Sequence, residues 1–481
     1  MRHGSWRGGV LPLLWTVGLA ACGGLAPEEP GALARTEQAH EQGRLTGDIR
    51  WARHITGEPV ILGEFPEEKS GKVVKDGEEH VLVLYGFTGN IDLGERVLRA
   101  PGGPASTAIA LARYDQKKGR LEWVKVFGPG PGVDGDVFAR LIAVDSKRNI
   151  ILQAAALGVD FGDGPVWEGE YLVKFDRHGR LLWRRSFEAN PGFLGVLDLL
   201  TDHHDNIIMA GTLVGSVDFG SGPITSKPDP AEGFFGPSPF AAKFSPAGES
   251  QWAYVRPADF GEGLAAAVDS QDHLLLCGSV SPSAVGSVPI VLRLSPDGHP
   301  RWEHTLPFSG GGGGLARDVA AHGNRIVLTG TFSGTFTFGG RTVTAEGAPK
   351  DDAFLVAYTR EGEERWARGF GFSGERVAMD EKDGVIVTGT YRSGDDLGLG
   401  PIPGKEPFSS NLFVAKYDRI TGEPRWTRGF PAGLAEPDSI VATKDGRSVV
   451  FGSFRSGSMR VGDEEWPQKS PNDLFLIGLD R

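Results

Sequence analysis

Cysteine, net positive charge, long apolar runs and helical periodicity are all scarce in this chain. Only Cys22 and Cys277 occur in 481 residues, so no framework of several disulfides exists. Lys and Arg number 50 against 62 Asp and Glu, a formal charge of −12. That balance argues against nucleic acid or anionic lipid as a main partner. The apolar run from Val10 to Ala20 is too short to span a bilayer. Past it, no stretch keeps a sustained helical period. No phosphate-loop ending of the Gly-Lys-Ser/Thr kind follows the glycine run Ser309–Gly314, which reads as a flexible loop. No convincing catalytic set of acids, histidines and nucleophiles stands out either.

Glycine, at 71 residues, is abundant, and seven glycines are followed four residues later by tryptophan. The pairs are Gly47–Trp51, Gly119–Trp123, Gly179–Trp183, Gly248–Trp252, Gly298–Trp302, Gly362–Trp366 and Gly422–Trp426. The tryptophans lie 72, 60, 69, 50, 64 and 60 residues apart. Self-similarity at such a period marks a repeat architecture.

Each repeat reads as four short strands joined by tight turns. After the tryptophan comes a strand such as Trp366-Ala-Arg-Gly-Phe370, then an apolar stretch ending in an acidic turn, as at Asp145, Asp269 and Asp380. A run apolar on consecutive positions follows, for example Leu274-Leu-Leu-Cys-Gly278. Such a run needs cover on both faces, which a sheet sandwiched between two similar sheets supplies. Next is a glycine-rich segment with an Asp-Phe-Gly signature, and then a last run such as Phe413-Val-Ala-Lys-Tyr-Asp418. Radial repetition of such sheets predicts an all-β, seven-bladed β-propeller with four-stranded blades. The final repeat stops at Arg481 without its own G-x-x-x-W, whereas Gly47–Trp51 precedes the first repeat. The last blade is therefore expected to take its outer strand from the N-terminus, which removes two open sheet edges.

The start of the chain reads as an export signal. Arg2 and Arg7 precede the apolar run, which ends in Leu19-Ala20-Ala21-Cys22. This resembles the lipobox of bacterial lipoproteins, in which the cysteine becomes the acylated first residue. The resemblance implies a signal peptide over 1–21, lipid attachment at Cys22 and a membrane anchor. Gly23 and Gly24 follow, with no aspartate there, and by the same resemblance this favours the outer membrane of a Gram-negative bacterium. Residues 22–45 read as a flexible tether and 46–481 as the propeller. Loss of residues 1–21 removes two arginines and leaves 48 basic against 62 acidic residues, formally −14. With Cys22 acylated, no intramolecular disulfide is possible. A monomer is expected.

Thr421-Gly-Glu-Pro-Arg-Trp426 after Asp418 resembles the tryptophan docking motif of quinoprotein-like propellers and of the propeller lipoprotein of outer-membrane protein assembly. The longer repeat more closely resembles the SBBP-type repeat of bacterial secreted and surface proteins. Thr329-Gly-Thr-Phe-Ser-Gly334 with Phe338-Gly339 is a good copy. The resemblance spans about residues 46–481 and implies the fold, with Trp51, Trp123, Trp183, Trp252, Trp302, Trp366 and Trp426 locking each blade on the next. It says little of function. Quinoprotein enzymes carry adjacent cysteines and eight blades, which this chain lacks, so no cofactor is expected.

The acidic turns offer two carboxylates or fewer, short of a calcium loop's ligand set, and need no metal as hairpin turns. The adjacent His203 and His204 on a turn read as solvent-facing; no metal is expected. A cation recurs in the last run of each repeat, as Arg113, Lys174, Lys243, Arg293 and Lys416, with Ala357 and Gly478 in the same slot of the fifth and seventh repeats. Such cations could ring an anionic glycan. The Asp-Phe-Gly slot holds Asp92, Asp160, Asp218 and Asp396 where the cation is present, and Thr337 and Arg460 where it is not. The favoured reading is an ion pair within each blade: Asp92–Arg113, Asp160–Lys174, Asp218–Lys243 and Asp396–Lys416. Arg293 is the exception, with no acid at its slot.

The expected function is a binding or scaffolding propeller for a protein or glycan partner. A Pro-rich insertion, 226–239, carries Phe234 and Phe235 as candidate partner-binding residues. The alternative is an envelope enzyme, a glycan lyase or hydrolase with its site at one mouth of the ring.

Overall fold

Strand follows strand throughout, and no helix occurs among the described residues of the computed structural model. It describes residues 46–481 apart from 60–70, 104–105, 131, 134, 229–234, 258–260, 282–285, 346–350, 372, 383 and 406–408. The strands form six antiparallel sheets, none closed on itself. Five are meanders of four strands in chain order, spanning 136–187, 189–255, 261–305, 308–370 and 373–430; those spanning 189–255 and 308–370 carry a short fifth strand on their second strand. The sixth has ten strands. It joins three strands of the C-terminal stretch, Ala432–Ala442, Ser448–Val461 and Asp473–Leu479, to strands between 71 and 127 through the N-terminal strand Ile49–Pro59.

That N-terminal strand has two partners. Its first half runs antiparallel to Asp473–Leu479, with Ala52 opposite Ile477 and Ile55 opposite Leu474. Its second half meets His80–Asp92, with Thr56 opposite Asp92. Trp51 thus lies on the outer edge of the C-terminal strands, over 400 residues away in sequence.

The apolar second strands sit where their composition requires. Leu274–Val280 and Gly384–Tyr391 are buried at every position. Tryptophan-bearing outer strands such as Pro300–Thr305 remain largely open to solvent. Burial comes largely from stacking one sheet on the next, and six of the seven core clusters mix residues of consecutive sheets. Ile208, Ala210 and Ala241 pack with Leu274, Leu276 and Leu292. Ile386 and Val414 pack with Val450 and Phe475. The last sheet segment meets the first in the same way: Val449, Phe451, Leu474 and Leu476 share a cluster with Val81, Val83 and Tyr85.

The first strand of each repeat except Gly71–Asp76 carries a β-bulge at one common position, for example between Val196 and Asp198 and between Ala316 and Asp318. A bulge re-aims the side chain beside it. Asp198 Oδ2 accepts the Ala266 amide at 3.0 Å, and Asp318 Oδ2 the Val377 amide at 2.8 Å. Ser439 Oγ accepts the Val73 amide at 2.8 Å, tying the last inner strand to the first. One further departure from the sequence reading lies here. The glycine run 309–314 is expected as a loop but forms part of the strand Phe308–His322, with Gly314 opposite Phe332. Without side chains, the glycine backbone lies close on its partner: a Cβ at Gly312 would sit 2.3 Å from the Ser333 carbonyl.

Candidate functional site

The G-x-x-x-W spacing has a physical cause in the contact between sheets. Each indole reaches the turn that opens the next sheet's tryptophan strand. Trp51 Nε1 donates to the Gln116 carbonyl at 2.8 Å, Trp183 to Pro246 at 3.2 Å and Trp252 to Pro296 at 2.9 Å. Trp302 donates to Arg360 and Trp366 to Arg419, both at 3.2 Å. Two or three residues beyond each acceptor stands the motif glycine, and the indole lies over it. A Cβ at Gly119, Gly248, Gly298 or Gly422 would come within 2.3 to 3.0 Å of ring atoms of Trp51, Trp183, Trp252 or Trp366. These glycines also adopt positive φ (63°, 80°, 86° and 70°). Trp426 covers Gly47, where a Cβ would sit 2.5 Å from its ring. Trp123 departs from the pattern: Gly179 is covered by Lys125, whose Nζ bonds the Gly179 carbonyl, and Trp123 packs partly buried in the shared core.

The proposed ion pairs require correction. Lys174 Nζ lies 2.9 Å from Asp145, not beside Asp160. Lys243 pairs with Asp202 at 2.7 Å rather than Asp218, and Lys416 with Asp380 at 2.6 Å rather than Asp396. Arg113 Nε is 3.1 Å from Asp76, not Asp92. The true partner is the acid of the turn between the first two strands. The register explains this: Lys174 stands opposite Ile151, two positions beyond the Asp145–Asn149 turn. The other acids stay exposed and hold their own turns, Asp160 Oδ1 accepting the Gly162 and Gly164 amides at 2.7 and 2.9 Å. Asp92, Asp218 and Asp396 likewise accept amides of Gly94, Gly220 and Gly398. Arg293 is no exception once the turn is considered, because its Nη2 lies 2.6 Å from Asp269. The fifth and seventh repeats, with Ala357 and Gly478, have His322 and Thr443 where the turn acid would be.

These pairs are buried and tie neighbouring sheets. Lys174 and Asp145 expose 4% and 1% of their side chains. Lys174 Nζ also bonds the Pro246 carbonyl at 3.1 Å, the same oxygen that receives Trp183. Lys243 repeats this with Pro296, which receives Trp252. Burial pushes the carboxyls of Asp145, Asp202 and Asp269 up. Bonds from Lys174, Lys243 and Arg293, with asparagine side chains or backbone amides, outweigh it and hold all three below their ordinary range. The recurrent cations are therefore built into the joints, not arrayed for an anionic ligand.

Two further expected sites fall partly beyond view. Cys22 and Phe234 lie outside the described residues; Phe235 is half-buried and bridges Pro228. His203 and His204 are exposed, and both engage Asp272, at 2.7 and 2.8 Å, which links two successive turns. Asp202, His204 and Asp272 bring ligand-type atoms within 4.8 Å of one another, but Asp202 is already engaged by Lys243 and Asn206.

Among the described residues three clefts stand out. Segments 72–75, 142–144, 198–201, 265–266, 317–319, 376–379 and 438–442 line one cavity of about 410 Å³, where Lys72 meets Asp198 at 2.5 Å and Arg376 Nε donates to the Asp438 carbonyl at 2.7 Å. A second, of about 600 Å³, is walled by Gly312–Gly314 and by serines 279, 281, 287 and 333. It opens where the 261–305 sheet lacks the Asp-Phe-Gly segment. The third, of about 580 Å³, lies between the 136–187 and 189–255 sheets. Phe138, Leu157 and Phe193 line it at 36%, 38% and 48% exposure, among Asp136, Glu168, Glu170 and Glu188. Trp167, 86% exposed, adjoins Glu168. Sequence reasoning missed this cleft. Trp167, outside the docking motif, was its one visible signal.

No family model matches the chain, and no curated protein matches it in sequence. Among solved structures it is similar to a protein of unknown function from Dyadobacter fermentans, at 13% identity over 70% of this chain and 93% of that one, with a TM-score of 0.42. It is also similar to the β-propeller domain of the trilobed protease from Pyrococcus furiosus, at 11% identity over 84% and 99%, TM-score 0.41. BamB from Moraxella catarrhalis aligns at 11% identity over 88% and 99%, TM-score 0.33.

Proposed function

We propose that this chain is a seven-bladed β-propeller lipoprotein of a bacterial cell envelope that binds or scaffolds a protein or glycan partner. In this reading the ten-stranded sheet is two blades bridged by the N-terminal strand, and the ring closes by packing the last blade on the first. The shared cluster of Phe451 and Tyr85, the Ser439–Val73 bond and the indole of Trp51 on Gln116 support closure. Cys22, acylated, anchors the propeller to the outer membrane through the 22–45 tether.

The observation that carries the binding role is the 580 Å³ cleft, where three large apolar side chains, Phe138, Leu157 and Phe193, stand exposed together. A cleft of this size falls in the range of ~300–1,000 Å³ typical of ligand sites. The test is fractionation and crosslinking in a native envelope. The full chain is expected to pellet with outer membranes, Cys22→Ser to be released or left unprocessed, and crosslinking through the cleft to yield one recurrent partner. Pelleting that survives Cys22→Ser, or crosslinks indifferent to cleft substitutions, would contradict the proposal.

A further inference from the structure

The cleft between the 136–187 and 189–255 sheets has a charge pattern that the rest of its surroundings do not share. Asp136, Glu168, Glu170 and Glu188 line it, and its described lining contains no Lys, Arg or His. In the same sheet, by contrast, Asp163 is matched by Arg184 at 2.9 Å and Asp145 by Lys174 at 2.9 Å. Two of the four carboxylates have protein partners. Asp136 accepts the amide and hydroxyl of Thr107, both at 2.9 Å, and Glu170 accepts Gln153 Nε2 at 2.5 Å. Glu168 and Glu188 stand exposed at one end of the same sheet, one before its third strand and the other just past its fourth, where Phe187 pairs with Glu170.

Among the apolar side chains of the cleft, Phe193 is positioned by the glycines on either side of it. Gly192 has φ 141°, and a Cβ there would sit 1.8 Å from the Val214 carbonyl, so the chain presses close at that point. The next residue, Phe193, lies over Gly195, where a Cβ would be 2.8 Å from its ring. The ring thus has a floor and remains half-exposed. On the far side the Tyr171 hydroxyl donates to the Trp167 carbonyl at 2.7 Å, fixing the loop that displays the indole.

We infer that this cleft binds an extended polypeptide segment in which Lys or Arg alternates with apolar side chains. The inference rests on the binding reading above and names its partner. The exposed carboxylates of Glu168 and Glu188 favour a cation, by charge complementarity and by drawing it in from solution. Exposed Phe138, Leu157 and Phe193 offer apolar contact, and aromatic faces also attract ammonium and guanidinium groups. A neutral glycan would use the rings but leave the acid excess without purpose, and an anionic one would be repelled.

The test uses the full chain and defined probes. Titration with Lys-Phe-Lys-Leu-Lys, followed by the emission of exposed Trp167 and by calorimetry, should show saturable binding that weakens with added salt. Glu-Phe-Glu-Leu-Glu should not bind. Glu168→Gln with Glu188→Gln, and separately Phe193→Ala, should each weaken the basic peptide by about tenfold or more, as hot-spot truncations do. All three sites are exposed, so folding should be unaffected. Trp167→Phe with calorimetry separates the optical signal from affinity. Equal binding of acidic and basic peptides, or basic-peptide affinity unmoved by the cleft variants, overturns the inference. Binding of a neutral oligosaccharide, lost in Phe193→Ala, while the basic peptide fails, overturns it but leaves the binding role standing. Failure of every probe overturns it as well, and only the crosslinking test then decides the wider role.

Discussion

The 136–187 and 308–370 sheets are copies of one repeat that differ at their joint with the next sheet. Both dock a tryptophan: Trp183 on the Pro246 carbonyl and Trp366 on the Arg419 carbonyl. The first adds a buried ion pair, Asp145–Lys174, whose ammonium shares that carbonyl. The second has His322 and Ala357 in those positions, with Ala357 fully buried beside Trp366 in the shared core. The indole is therefore the common joint and the ion pair an added tie. A buried pair is weak evidence for net stability, because desolvation offsets its attraction, and copies without it can be as stable.

The largest expected effect breaks the joint that lacks a tie. Trp366→Ala should cost about 3–5 kcal/mol in reversible chemical unfolding, the range for truncating a buried aromatic. Trp183→Ala should cost less, since Lys174 still holds Pro246. Trp167→Ala, at an 86% exposed site, should stay within about 0.5 kcal/mol. Equal losses at Trp366 and Trp167 would remove the docking role.

Next comes the tie itself. Lys174→Ala leaves the Asp145 carboxylate buried without its cation and should cost about 3 kcal/mol. Asp145→His with Lys174→Ala copies the fifth repeat and should be milder than Lys174→Ala alone. Asp160→Thr with Lys174→Ala should instead be additive, since those residues share no contact network. Coupling between 160 and 174, and none between 145 and 174, would restore the discarded pairing.

The smallest effect is in acid. The folded-state pKa values of Asp145, Asp202 and Asp269 lie below ordinary. Their contribution is then complete above the unfolded value of about 3.9 and fades as pH falls through the lower folded values. Melting temperature should drop as pH falls below about 4, and the Asp145→His, Lys174→Ala variant should drop less steeply. A variant profile as steep as the parent's would separate acid sensitivity from these joints.

The contrast between the two sheets also marks what the sequence could reveal. Strand positions and the all-β class follow from the apolar runs and turns, because strand period and burial act locally. The glycine–tryptophan spacing pointed to the joints, although the glycine's purpose, space for the previous sheet's indole, needs two sheets to be seen at once. The ion pairs were misassigned because two slots that change together were compared without a third. Arg293, lacking an Asp-Phe-Gly acid, already pointed to Asp269. The glycine run 309–314 reads as a flexible loop in isolation but has a strand partner in 332–335. The acidic cleft was invisible for the same reason: Asp136, Glu168 and Glu188 come together only when the strands of their sheet pair, and Phe193 joins them only when the next sheet stacks.

The central proposal is that the N-terminal strand completes the last blade and so closes the ring. Amide hydrogen exchange of the full chain, read on the N-terminal strand, tests it most directly. Amides of residues 51–55 that pair with the C-terminal strand should exchange only with global unfolding, as slowly as those of 474–477. Fast exchange at 51–55 beside slow exchange at 474–477 would show that the N-terminal strand does not hold the last blade.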